Sequence, residues 1–222
     1  MKSRTYSEQE VLSFAKDAYE HGSARFDIVT GRCVLVVVDM QDEFVRPGWT
    51  AFWVPAATRQ APRIKSLVDH CRKKSIPIVF TVFGPTHHFL DRPATGSSMP
   101  NRYESFGVKH DEWFNAPSIW HELEATQEDI VIFKPSYGAF YETPLQSILN
   151  NLERDTVIIC GTLTNFCCGM TARQAYERGF KVVFGSDITA TDDPAMQEPE
   201  LKVLRKGFAR VMTTKEIVEA LV

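Results

Sequence analysis

The 222-residue sequence predicts an α/β protein: three α/β/α layers around a mainly parallel, Rossmann-like sheet of about six strands. Two observations carry this. Short apolar runs rich in β-branched residues recur without polar alternation, as expected of strands buried on both faces. Helical patterns lie between several of these runs, and alternating strand and helix argue for a parallel sheet with helices on both faces. Right-handed crossovers then bring the strand C-termini to one edge, where such folds bind ligands.

The elements follow in order. Residues 6–21 have helical periodicity, with Val11, Leu12, Phe14, Ala15 and Ala18 on or near one face and Ser7 as the N-cap. This helix is expected to pack on the main body or on a second subunit. "CVLVVVDMQ" (33–41) is the first buried strand. Similar runs are "IPIVFTVF" (76–83), "DIVIFK" (129–134), "TVIICG" (156–161), "FKVVFG" (180–185) and, more weakly, "ARVMT" (209–213). Helical patterns occupy 56–74, 143–152, 165–178 and 196–208. Two long connections, 42–55 and 84–115, leave the presumed ligand edge and read as lids or binding loops. The organisation expected is an N-terminal helical extension, 1–25, and one domain, 26–222.

Composition narrows the function. With 25 basic and 28 acidic residues the net charge is −3, and no basic stripe marks a nucleic-acid surface. No segment approaches the roughly 18 continuous apolar residues of a membrane helix. The N-terminal residues lack the apolar core of a signal peptide, so a cytoplasmic protein is expected. Five cysteines are an odd number, which argues against a closed disulfide framework. There is no CxxC pair to suggest structural zinc. The absence of GxGxxG and GxxxxGK[ST] leaves a nucleotide-binding reading unsupported.

Three chemically distinct residues close buried strands on the same edge. Asp39 ends the first, Lys134 ends the third, and Cys167 follows the fourth by a short turn. A single charge at a strand end commonly marks the return to solvent. An acid, a base and a thiol converging on one edge point instead to nucleophilic chemistry. Cys167 falls near the start of a helical pattern, where orphan N–H groups favour an anion, and a lysine nearby would favour the thiolate further. An aspartate within reach can take the thiol proton and return it to a leaving amine. The turn "GTLTN" could direct backbone N–H groups at an oxyanion. Cys33, Cys71 and Cys160 read as core residues. Cys167 and Cys168 point about 100° apart on a helix, so one of them faces the site, and spacing alone does not choose which.

The segments "VLVVVDMQDEF", "FKPSYGAFYETPL" and "CGTLTNFCCGMTARQAYERGFKVVFGSDITAT" resemble the isochorismatase-like hydrolases, the cysteine hydrolase superfamily. The resemblance runs from about residue 30 to 220. The last block matches the pattern G-x-x-T-x-x-C-V-x-x-T-A. It implies that Cys167 is the nucleophile, with Cys168 in the family's Val slot and Asp39 and Lys134 completing the triad. The spacings, 134 − 39 = 95 and 167 − 134 = 33 residues, are family-like. It also implies a cis peptide at Thr162–Leu163 and an oxyanion hole from the N–H groups of Leu163 and Cys167.

Isochorismatases of the family commonly have Gly in place of this cysteine. Its retention therefore implies hydrolysis of a C–N bond in a small amide or ureide through a thioester, as in N-carbamoylsarcosine amidase and ureide hydrolases. Vinyl-ether hydrolysis and nicotinamidase-like amide hydrolysis are the alternatives. No cofactor is expected. "FGPTHHFLDRP" holds His87, His88 and Asp91 but lacks the D-x-H spacing of the nicotinamidase metal site, so no metal is expected. Phe44, Trp49, Tyr137 and Phe140 are expected to contact substrate. Trp53, Phe89, Tyr103, Phe106, Trp113 and Trp120 are further candidates for an aromatic wall or for packing beneath the loops. Arg46, Arg92 and Arg102 are candidate carboxylate binders or solvated loop charges. The resemblance also implies a homodimer or homotetramer.

Overall fold

The computed structural model describes residues 4–84, 86, 87, 90–92 and 118–222. Three of its strands are buried along their whole length: β1 (Cys33–Val38), β2 (Ile78–Phe83) and, after β3 (Ile130–Lys134), β4 (Thr156–Thr162). Their unbroken Val/Ile content is what a strand covered on both faces needs. With β5 (Lys181–Ala190) and β6 (Arg210–Met212) they form one six-stranded, all-parallel sheet in the order β3-β2-β1-β4-β5-β6. The order reverses between β1 and β4, and a crevice opens outside the carboxyl ends of strands at such a switch point.

Helices cover both faces. Cys33, Leu35 and Val37 of β1 face one cluster, with Ala61, Ile64, Leu67 and Val68 of α3, the helix Pro55–Lys73. Val34, Val36 and Val38 face the other, with α4 (Leu145–Asn151), α5 (Gly169–Glu177) and α6 (Gln197–Gly207). The three-layer expectation therefore holds. N-terminal to the sheet, α1 (Glu8–His21) starts with a capping box between Ser7 and Glu10 and buries none of its residues. It is tied to α6 by the Lys202–Glu20 pair at 2.9 Å and, just past its end, by Ser23 Oγ donating to the Lys206 carbonyl at 2.6 Å. Val11, Leu12 and Phe14 stay exposed.

Three features lie outside the expectation. The turn after β1 contains a one-turn helix, α2 (Asp42–Val45). A C-terminal helix, α7 (Thr214–Ala220), is capped by a Thr213/Glu216 box and by Asp187, which accepts from both Thr214 N and Oγ1 at 2.8 Å. Finally, β5 continues five residues beyond the apolar run. Its register against β4 shifts between Ile159 and Gly161, after which Thr189 and Ala190 pair with Gly161 and Thr162. Gly161 has φ +117°, and a Cβ there would lie 2.0 Å from the Val38 carbonyl oxygen. Only glycine lets β4 approach β1 this closely.

Candidate active site

Residue 39 is where β1 stops. Its backbone turns left-handed, φ +49°, a conformation sparsely populated by non-glycine residues and retained where surrounding contacts enforce it. Those contacts come from Thr81 of β2. Asp39 N donates to the Thr81 carbonyl at 3.1 Å and to its Oγ1 at 3.2 Å, and Thr81 Oγ1 donates to Asp39 Oδ1 at 2.8 Å. The carboxylate is thereby aimed along the sheet rather than outward.

Lys134, at the C-terminus of β3, reaches across β2 to meet it. Nζ stands 2.7 Å from Asp39 Oδ2, and both side chains are completely buried. The ammonium also donates to the Ser136 carbonyl at 2.8 Å and rests 5.2 Å from the centroid of the Phe83 ring. Burial alone would lower the lysine's pKa. The Asp39 carboxylate and the Cys167 sulfur outweigh it and hold the ammonium above its ordinary value.

The third group arrives from β4. The turn Thr164–Cys168 is wound as a π-helix that runs directly into α5. Such turns recur at functional sites. Cys167 within it is 5% exposed, and Asp39 and Lys134 are the charged side chains that act on its sulfur. The Cys167 carbonyl accepts from Thr171 Oγ1 at 2.6 Å, and that oxygen accepts from Ala139 N at 3.0 Å. The loop after Lys134 is thus fastened to the cysteine's own turn. The peptide Thr162–Leu163 is cis. Cys168 is fully buried, with Sγ 3.9 Å from the Cys160 carbonyl. Of the adjacent pair, Cys167 is the one that meets the other two groups.

The thiol's electrostatics differ from the sequence expectation. Burial pushes the Cys167 thiol up to about 12; Lys134 pulls against this, while Asp39 adds to it. The resting group is therefore a thiol beside a carboxylate, not a free thiolate. The helical pattern predicted a helix-start position, and Cys167 does lie in the first turn of the helical segment that begins at Thr164, but that turn is buried in the fold.

The remaining sequence candidates divide. Tyr137 is half-buried and packs with its ring tilted, centroids 5.5 Å apart, against the exposed Phe166, a residue the sequence reading did not single out. Trp49 is exposed with the Arg46 guanidinium 5.3 Å from its ring. Phe44 is core, and Phe140 is buried against Phe180 at 5.6 Å. Trp53 donates to Thr58 at 2.8 Å, and Trp120 is buried beside His121. Arg92 donates from Nε to the carbonyl of Pro135, the residue after Lys134, at 2.8 Å, and its guanidinium sits 5.0 Å from the Phe83 ring. His87 Nδ1 is 2.8 Å from Asp91 Oδ2. Among the described residues no group of three or more His, Cys, Asp or Glu is arranged to hold a metal ion. His88, Phe89, Arg102, Tyr103, Phe106 and Trp113 lie outside the described residues. An open groove of about 1100 Å³ lies elsewhere, between the end of α1 and the β6–α7 corner, and contains none of the three converging groups.

This fold and this cluster define a hydrolase class, and comparison with known proteins names it. Residues 33–216 match the Isochorismatase domain, and the chain belongs to that family. It is 30% identical over 188 residues to Nicotinamidase 3 of Arabidopsis thaliana, covering 84% of this chain and 87% of that one. It is likewise 30% identical to the ureidoacrylate amidohydrolase of Methylorubrum extorquens, covering 80% and 78% of the two chains. A cysteine hydrolase from Pseudomonas syringae pv. phaseolicola superposes with TM-score 0.74 at 26% identity, over 89% of this chain and 95% of that one. N-carbamoylsarcosine amidase from Thermoplasma acidophilum shares the fold, with TM-score 0.64 at 24% identity over 82% and 96%.

Proposed function

We propose that this hydrolase cleaves the C–N bond of a small amide or ureide through a thioester on Cys167. The observation that carries the reading is the buried Asp39–Lys134 pair, both of whose members act on the Cys167 sulfur. A thiol at about 12 needs a base at the moment of attack, and Asp39 is in place to be that base. Sγ attacks the carbonyl carbon while its proton passes to the Asp39 carboxylate. The N–H groups of Leu163 and Cys167 receive the oxyanion. The C–N bond breaks as Asp39 returns the proton to the departing nitrogen. Asp39 then deprotonates water, which attacks the thioester; the acid leaves and the sulfur regains its proton. Lys134 remains an ammonium throughout and balances the charge that moves between Asp39 and Cys167.

Arg92, fixed beside the Lys134 segment, is the described cation we assign to a carboxylate on the substrate. Tyr137 and Phe166 supply an apolar flank. Association into a homodimer or homotetramer is part of the same reading. It is supported by the exposed Val11, Leu12 and Phe14 of α1, and sedimentation tests it.

The test is ammonia or amine release from a panel containing nicotinamide, ureidoacrylate, N-carbamoylsarcosine and biuret. At least one is turned over, and Cys167→Ala lowers that turnover by at least about 10³-fold. A vinyl-ether hydrolase working without the sulfur would retain its activity in Cys167→Ala.

A further inference from the structure

The tight turn after β1 contains a carboxylate that the proposed reaction does not use. Glu43 is completely buried, four residues beyond Asp39. Its Oε2 accepts from Gln41 Nε2 at 2.8 Å, while Oε1 has no hydrogen-bond partner among the described residues. Burial with this sparse solvation pushes its carboxyl up to about 7; the hydrogen bond from Gln41 opposes the rise, and the nearby carboxylates of Asp42 and Asp39 add to it. Those two acids are the charged groups that act on it from its own turn and from the end of β1.

Gln41 is committed on every side. Its Oε1 accepts from Phe83 N at 2.8 Å, and Nε2 donates to the Phe83 carbonyl at 2.8 Å as well as to Glu43. One side chain thus holds both main-chain groups of the last residue of β2. Phe83 in turn pairs in register with Lys134, and its ring lies beneath the Lys134 ammonium. The chain of contacts runs Glu43, Gln41, Phe83, Lys134 and back to Asp39, closing a ring around the end of the sheet.

We propose that Glu43 is a positioning residue: by accepting from Gln41 it locks the amide that clamps Phe83, and so sets where Lys134 and Asp39 meet the Cys167 sulfur. What matters is the acceptor oxygen rather than the charge, because a neutral carboxyl also has a carbonyl oxygen to offer Gln41. Removing the acceptor leaves a buried N–H unsatisfied and takes away one of the three hydrogen bonds that orient the amide. The role rests on the proposed chemistry of Cys167, so the test separates the two.

The probe is iodoacetamide, with Cys167 alkylation followed by peptide mass spectrometry in the wild type, Glu43→Gln and Glu43→Ala, each well below its melting temperature. Glu43→Gln keeps the acceptor and is expected to label within about twofold of wild type. Glu43→Ala is expected to label at least about tenfold more slowly, since small displacements of reacting groups are costly. Exchange of the Phe83 amide is expected to rise in Glu43→Ala alone. If Cys167→Ala keeps the wild-type amide turnover, the reading of Cys167 as nucleophile fails. If Glu43→Ala labels Cys167 at the wild-type rate, the positioning role is overturned by itself. Equal slowing in both variants would assign the effect to charge and would also overturn the proposal. A Glu43→Ala chain that does not fold leaves two decisive readings: the Glu43→Gln rate, and Phe83 exchange in Gln41→Ala, which the proposal requires to rise.

Discussion

Breaking the Asp39–Lys134 pair from one side is the most informative perturbation. In Lys134→Met the carboxylate keeps its bond from Thr81 but loses the ion pair at 2.7 Å, and neither side chain has any exposure to water. At an effective dielectric of about 20 the attraction at that distance is about 6 kcal/mol, and desolvation of both groups offsets most of it. An unpaired buried charge costs about 3–5 kcal/mol, whereas replacing both partners by neutral groups costs much less. Lys134→Met and Asp39→Asn are therefore each expected to destabilise by about 3–5 kcal/mol. The double variant should recover most of that loss, giving a coupling energy of at least about 3 kcal/mol. Urea unfolding at neutral pH measures all four corners of the cycle, with the slope checked for constancy. A coupling below about 1 kcal/mol, the worth of an exposed pair, would refute the reasoning.

Three further outcomes are expected. Glu43 binds its proton more tightly in the native chain, at about 7 against an ordinary 4.5, so native stability falls as pH rises between those values. The fall is about 3 kcal/mol, and it should be missing from urea titrations of Glu43→Gln. Gly161→Ala forces a methyl onto the Val38 carbonyl in a left-handed backbone and should cost at least about 4 kcal/mol, read as a loss of soluble folded chain or a large drop in Tm. Cys168→Ala removes a sulfur packed toward the Cys160 carbonyl, so it should cost about 1 kcal/mol of stability while leaving turnover within about twofold, in contrast to Cys167→Ala.

The sheet was legible because a parallel strand covered on both faces must be apolar throughout, and "CVLVVV" and "TVIIC" can be little else. The extension of β5 was not, because "SDITA" pairs only after a register shift between Ile159 and Gly161. The α7 helix carried a readable signal, Thr213 followed by Glu216, but seven residues hold too few apolar positions to show a period. At the site, Asp39 and Lys134 stood out as charges closing apolar runs. The choice of Cys167 over Cys168 came from resemblance, since a helical angle cannot say which thiol faces inward. The burial that keeps Cys167 a thiol was hidden, because desolvation depends on packing from three distant segments. Glu43 and Gln41 sat in plain view within "DMQDEF", yet acids in a turn read as solvated until the turn is seen folded under Trp120 and Phe83.

The claim that decides the account is that the substrate's acyl group passes through the Cys167 sulfur. Acid quenching of the enzyme during turnover of the best amide or ureide, followed by intact-mass and peptide analysis, tests it directly. The expected result is a mass increment equal to the acyl portion, confined to the peptide containing Cys167 and lost with hydroxylamine. Steady turnover with no such increment, continuing undiminished in Cys167→Ala, would contradict it.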